Sequence, residues 1–299
     1  MQKQIKIAIN PDKCNGCGLC VGACPCRALV IQDEKAVVSG TESIGCGHCE
    51  AICPKGAIKI NEEQADFSFS QTDNTYRHIP PGDFDLSSLI CLMRSRRSYR
   101  NYTAEPVDPA QLNDLVLIGI TAPSGTNSQC WTFSLLPDRE KVIALGDAIA
   151  LYFKRLNKIA GNPLLRIFDK VFSKGRLENY YRNHYTSVRK SLDLWYREGH
   201  DQLFHGATAV IIVGSKPEAS CPHDDALLAT QNILLGAHAM GLGSCLIGYA
   251  VHALNNYPKI KKELNIPLAE HIYSVIALGH PAEKYLRPIG RRAPLVRTL

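Results

Sequence analysis

Apolar and polar positions alternate in four short runs near the start of the chain, IKIAIN, ALVIQ, KAVVSG and AIKI, and a period of two predicts half-buried strands. Cysteine-rich loops separate these runs. From Asp85 onward the period changes. DLSSLICLMRSRRS and VDPAQLNDLVLIGITA predict helices, the first capped by Asp85 or Ser87. The second opens on Asp108, with Pro109 at the first helical position and Gln111 placed to close a capping box. TFSLLP, TAVIIVG and IYSVIALG are apolar runs of strand length, with helices predicted near 139–159, 224–240 and 253–264. Residues 61–84, NEEQADFSFSQTDNTYRHIPPGDF, show neither period and contain Pro80-Pro81, the signature of a linker or a strap. The expected organisation is a small module over 1–60, a linker over 61–84 and an α+β domain over 85–299.

With 299 residues, 45% of them hydrophobic, the chain can bury a substantial core and has room for two domains. No run approaches the roughly 18 apolar residues of a spanning helix. The opening MQKQIKIAIN lacks the apolar stretch of a secretion signal and a twin-arginine start, so a cytoplasmic protein without a membrane span is expected. The net charge of +6 is unevenly spread. Residues 1–66 hold seven Lys/Arg against eight Asp/Glu, whereas 151–200 hold eleven against four. Any steering of an acidic partner comes from that one segment, and the charge gives no reason to expect nucleic-acid binding.

Eight of the twelve cysteines fall in the first 53 residues, which points to metal ligation rather than to disulfides. Cys91, Cys130, Cys221 and Cys245 are scattered and read as small buried hydrophobes. Cys14, Cys17, Cys20 and Cys24, followed by Pro25, have the spacing that wraps three thiolates round one 4Fe–4S cube and sends the fourth to a second. Zinc is the alternative for the Cys-x2-Cys pairs at 14/17 and 46/49, but four ligands leave the remaining cysteines and both Cys-Pro endings unexplained.

This region resembles a bacterial-type two-cluster ferredoxin. The resemblance implies that Cys14, Cys17, Cys20 and Cys53 hold one cluster, and that Cys24, Cys46 and Cys49 hold the other with position 43. Position 43 is Ser, a harder and more basic ligand than thiolate. Three outcomes follow: Ser43 ligates, a three-iron cluster forms, or Cys26, a cysteine the ferredoxin pattern does not require, fills the vacancy. The count of eight thiolates for two cubes favours Cys26.

In the larger domain, RSRRSYRNY places Arg94, Arg96, Arg97 and Arg100 around Ser98, a composition suited to a phosphate monoester. A small polar loop, APSGTNSQCWTF, follows. With Gly241-Leu242-Gly243, Gly279-His280-Pro281 and the basic tail, these motifs resemble the nitroreductase family of FMN enzymes over about 85–299, with Cys130 where the family loop has proline. The resemblance implies an α+β domain with a mixed central sheet flanked by helices, working as a homodimer. Arg96, Arg97, Ser98 and Arg100 would hold the FMN phosphate with Arg291 or Arg292. Pro123, Ser124, Asn127 and Gln129 would contact the flavin, usually from the partner subunit. The backbone N–H groups of Ile247 and Gly248 would lie near flavin N5.

Residues 151–200 are expected to form a helical cover over the flavin, with tyrosines 180, 181, 185 and 196 shaping a substrate pocket. An ordinary core helix is the alternative, and a membrane-surface helix or a dock for an acidic ferredoxin is weaker. The expected cofactors are FMN and two 4Fe–4S clusters, and no acid or base residue stands out as catalytic. The expected function is an oxidoreductase passing electrons from a donor through the clusters to FMN, and on to a nitroaromatic, quinone-like or other conjugated acceptor. A ferredoxin, another donor protein or NAD(P)H would supply the electrons. No Gly-x-Gly-x-x-Gly follows a strand, so NAD(P)H would have to stack directly on the flavin. A non-catalytic electron-transfer or redox-sensing protein is one alternative, and dehalogenation or dehydrogenation on the same fold is another.

Overall fold

The computed structural model describes residues 7–40, 43–60, 67–172 and 175–298. Ile5 and Lys6 of the first expected strand, residues 61–66 of the expected linker, and Lys174 lie outside the described residues. Two compact units result. No helix among the described residues is long and apolar enough to cross a membrane.

The first unit gathers residues 1–68 with two later loops, 123–129 and 219–221. Strand β1 (Ile7–Ile9) and helix α1 (Leu19–Ala23) precede a hairpin of β2 (Leu29–Gln32) and β3 (Lys35–Val38). Helix α2 (His48–Ala51) and β4 (Ile58–Ile60) complete it, and β4 pairs antiparallel with β1. Cys20, Leu29, Ala36, Cys49, Ile58 and Ile60 form a core of six buried residues. So little apolar burial rarely sustains a fold this small without a further staple.

The second unit, residues 69–122, 130–218 and 222–299, carries a sheet in the order β5-β6-β8-β7. Helices α3 (Leu86–Ser95) and α4 (Pro109–Gly119) come first, then β5 (Trp131–Leu136). The helices α5 (Arg139–Ala160), α6 (Pro163–Phe172), α7 (Arg176–Asn183) and α8 (Tyr185–Glu198) run up to β6 (Ala209–Ser215). Helix α9 (Pro222–Ala239), β7 (Gly243–Leu246), α10 (Gly248–Asn256), α11 (Pro258–Glu263) and β8 (His271–Gly279) close the order. All four strands pair antiparallel, and the parallel component of this sheet is a single bridge between Ser98 and Ser244.

Helices cover both faces of the sheet, which is why β6 reads as a continuous apolar run, every residue of it buried. Ala209, Ile211 and Val213 face α4 and α9. Val210 and Ile212 pack with residues of α5 and α10 in the other core. Asp85 caps α3 by accepting from the N–H of Ser88 at 2.8 Å. Asp108 caps α4 through the N–H of Ala110 at 2.8 Å, one bond in place of the reciprocal box that Gln111 was positioned to close. Asp114 of α4, only 3% exposed, accepts from the N–H and hydroxyl of Ser70, so this end of the 61–84 segment straps onto the domain.

Candidate functional site

In the first unit the two cysteine loops fold alike. Gly18 and Gly47, two residues before Cys20 and Cys49, sit at φ +77° and +76° and start the two short helices in a conformation that suits glycine. Four residues beyond the last cysteine of each loop an N–H turns back onto sulfur: Ala28 to Cys24 Sγ and Ala57 to Cys53 Sγ, both at 3.3 Å. Ala36 donates likewise to Cys14 Sγ at 3.3 Å, and the N–H groups of Ala36 and Gly16 hold that thiol below its ordinary pKa. Burial pushes the Cys20 thiol up, with Cys14 and Cys17 adding to the shift. Burial raises Cys49 as well, helped by Cys24 and Cys46.

The cysteines therefore stand in the two groups that a two-cluster arrangement requires. Cys14, Cys17, Cys20 and Cys53 line one cavity together. Among the described residues no three Cys, His, Asp or Glu side chains converge tightly enough to hold a single ion. Preformed N–H···S bonds, left-handed glycines and a four-cysteine cavity suit a 4Fe–4S cluster.

The repeat also locates Ser43 and Cys26. Ser43 Oγ accepts from the N–H of Gly45 at 3.2 Å, as Cys14 sulfur does from Gly16. Ser43 thus sits in its loop where Cys14 sits in the first. In the sequence repeat Cys26 corresponds to Lys55, which lines the first cavity, and Cys26 is half-buried.

The loop 123–129 belongs to this same unit. Asn127 Nδ2 donates to the carbonyls of Gly45 and Ile44, at 2.8 and 3.3 Å, one residue from Cys46. Ser124 braces the loop by accepting from the N–H of Gln129 at 3.0 Å. Thr126, Asn127 and Gln129 all have φ between +47° and +56°, costly for side chains other than Asn and held here by these bonds.

In the second unit, residues 98–103 are pinned along the sheet edge. The N–H of Tyr99 donates to Ser244 at 3.0 Å and that of Thr103 to His280 at 2.9 Å. Gly243 and Gly279 make room: a Cβ on them would come within 3.0 Å of Tyr99 and 2.9 Å of Tyr102. The result is a convergence of positive charge. Burial lowers the pKa of Arg96, and Arg291 and Arg97 add to the shift by like-charge repulsion. Burial pushes the Cys245 thiol up, while Arg100, the Ser98 hydroxyl and Arg96 pull it down. None of these arginines has an ion-pair partner among the described residues. A partly buried cluster of unneutralised guanidiniums with a serine has the charge and donors that suit an anion. Arg97 lies over the Tyr285 ring at 5.5 Å, and Arg292 is exposed.

Beside this cluster lies a pocket of about 820 Å³. Arg100, Cys245, Ile247 and Gly248 line it, together with Phe153, Tyr180 and Tyr249. The N–H of Ile247 is spent on the carbonyl of Val275 at 2.9 Å, because β7 continues its alignment with β8 up to this residue. Gly248, at the first position of α10, has an N–H without an intrahelical acceptor. A smaller apolar cavity of about 200 Å³ sits between α5 and α8, walled by Trp195, Ile149 and Val188.

The family model described as "Nitroreductase family" matches residues 93–280. The chain belongs to the nitroreductase family. A 4Fe-4S dicluster domain matches residues 6–65, so this is an oxidoreductase of that family carrying an N-terminal iron–sulfur domain. A 4-nitrobenzoate reductase of Nocardioides sp. is 26% identical over 223 residues, 70% of this chain and 85% of that protein. The iodotyrosine deiodinase of Danio rerio is 24% identical over 228 residues, 73% of this chain and 71% of that protein. A nitroreductase from Bacteroides fragilis, solved with bound FMN, shares the fold. Its TM-score is 0.52 at 19% identity, over 71% of this chain and 98% of that one.

The nitroreductase domain holds residues that sequence reasoning missed. Arg176, His184, His205 and His252 all line the large pocket. The charge of the 151–200 segment was the signal for Arg176. Of the four tyrosines in that segment Tyr180 lines the pocket and Tyr196 is 49% exposed. Helix α6 is no core helix: Leu164, Ile167, Phe168, Val171 and Phe172 are 61–74% exposed.

Proposed function

We propose that this protein binds FMN and two 4Fe–4S clusters, and carries electrons from a one-electron donor through the clusters to the flavin and on to a nitroaromatic, quinone-like or other conjugated acceptor. When bound, FMN would supply exchange between one-electron and two-electron chemistry. Arg96, Ser98, Arg100 and Arg291 would hold its phosphate, and the N–H of Gly248 would face the ring in the large pocket. Cys14, Cys17, Cys20 and Cys53 would hold the first cluster. Cys24, Cys46 and Cys49 would hold the second with Cys26, on the count of eight thiolates for two cubes, although the repeat sets Ser43 where Cys14 stands in the first loop. The working form would be a cytoplasmic homodimer, each flavin contacted by the 123–129 loop of the partner subunit.

The observation that carries this reading is the pair of bonds from Asn127 to the carbonyls of Ile44 and Gly45. The loop expected to touch flavin is built into the iron–sulfur unit, adjacent to Cys46. The second cluster is accordingly the exit toward flavin. The test is anaerobic turnover with a reduced viologen as donor and a panel of nitroaromatics and quinones. Reduction of a member of the panel, abolished by FMN removal and restored by FMN, supports the reading. No reduction of any acceptor by protein loaded with flavin and iron would end it.

A further inference from the structure

We infer that the pocket of the nitroreductase domain selects an acceptor bearing an anionic substituent on its conjugated ring, and that the Arg176 guanidinium binds that anion. This rests on the acceptor-reducing function proposed above.

Helix α7 turns one face to the pocket. Arg176, Asn179 and Tyr180, at positions i, i+3 and i+4, all line it. The helix's one carboxylate, Glu178, is not among the lining residues and is engaged by Arg182 at 2.7 Å and Arg166 at 3.6 Å. Arg176 has neither an ion pair nor a side-chain hydrogen bond among the described residues. The pocket as a whole is lined by two arginines and three histidines, with no Asp or Glu among the described residues.

The other basic groups have separate duties. Arg100 belongs to the anion cluster with Arg96 and Ser98. His252 and His184 are within bonding distance of Tyr152 Oη and Tyr249 Oη, at 3.2 and 3.3 Å. Burial holds His205 and His252 below the ordinary imidazole range, so both stand neutral at pH 7. Arg176 is the fixed charge left to meet a ligand. It lies in a segment that none of the flavin motifs covers. Phe153, Tyr180 and Tyr249 give the same pocket aromatic walls, and a guanidinium fork matches a carboxylate with two parallel donors.

The phosphates of NAD(P)H are the other source of anionic charge that could reach this pocket, and the test separates the two. Oxidised, FMN-loaded protein is titrated with 4-nitrobenzoate, with 4-nitrobenzamide and with NADP⁺, following the flavin absorbance. Wild type, Arg176→Gln and Arg176→Lys are compared. The carboxylate should bind wild type about tenfold more tightly than the amide, the worth of one charge-assisted pair. Arg176→Gln should erase that preference and Arg176→Lys should keep part of it. Equal affinity of acid and amide for wild type, or a preference that survives Arg176→Gln, would overturn the inference. Weakened NADP⁺ binding with the acid preference intact would overturn it too, assigning Arg176 to the donor's phosphates. Reduction of acid and amide with equal efficiency would leave the oxidoreductase reading standing while removing the selectivity.

Discussion

Replacing Asn127 separates two forces that hold the 123–129 loop to the iron–sulfur unit. Its amide donates to Gly45 and Ile44 at 2.8 and 3.3 Å, and its backbone sits at φ +56°. Asn127→Gly keeps the left-handed backbone and loses the bonds, a cost of about 1 kcal/mol for partly buried neutral hydrogen bonds. Asn127→Ala loses the same bonds and, like Asn, keeps a Cβ in the left-handed region, a conformation that costs roughly 1–2 kcal/mol and that Gly adopts freely, so Ala should be the less stable of the two. The assay is anaerobic urea denaturation of the cluster-loaded protein, followed by the visible absorbance of the clusters. The same variants then enter a stopped-flow measurement of flavin reduction by a reduced viologen. Gly should be the milder of the two in urea, and both should slow flavin reduction relative to wild type. Two variants of equal stability would refute the conformational part of this reasoning. Loosened loops with an unchanged rate of flavin reduction would refute the loop's place in the electron path.

Three other outcomes are expected. Cys26→Ser should remove or convert one of two interacting 4Fe–4S signals in the EPR spectrum of dithionite-reduced protein and lower its iron content, whereas an unchanged spectrum would assign the ligand to Ser43 or to solvent. Gly279→Ala drives a Cβ to 2.9 Å from Tyr102; overpacking of this kind costs about 1–3 kcal/mol, and because Tyr102 anchors the Ser98–Arg100 segment, FMN affinity measured by fluorescence quenching should fall along with stability. Burial and the neighbouring His184 lower the pKa of His252, so the unfolded chain binds its proton more readily than the folded one. Its contribution is complete above the unfolded value of about 6.5 and is lost as pH falls from there through the folded value; urea midpoints at pH 7.5 and 5.5 should therefore differ less in His252→Gln than in wild type.

The strands at 132–136, 209–214 and 272–279 were legible because sheets covered on both faces read as unbroken apolar runs, and the caps at Asp85 and Asp108 because capping is local chemistry. The two cysteine groups came from the resemblance to a two-cluster ferredoxin, and Cys14, Cys17, Cys20 and Cys53 do line one cavity. What was hidden depended on tertiary contact. β7 is four residues long and looks like a turn until it pairs with β8, and that pairing consumes the N–H of Ile247 expected to face the flavin. The attachment of Asn127 to carbonyls more than eighty residues earlier leaves no periodic trace. Arg176 was one cation among eleven in its segment, and only the face of α7 that lines the pocket distinguishes it.

The most direct test of the central claim is rapid freeze-quench EPR beside flavin absorbance, after anaerobic mixing of oxidised, fully loaded protein with a limiting amount of reduced viologen. Electron entry through the clusters predicts that reduced-cluster signals rise first and decay as the flavin absorbance bleaches, with the same rate constant for both changes. Flavin bleaching that precedes any cluster signal, or clusters that stay reduced beside oxidised flavin, would contradict it.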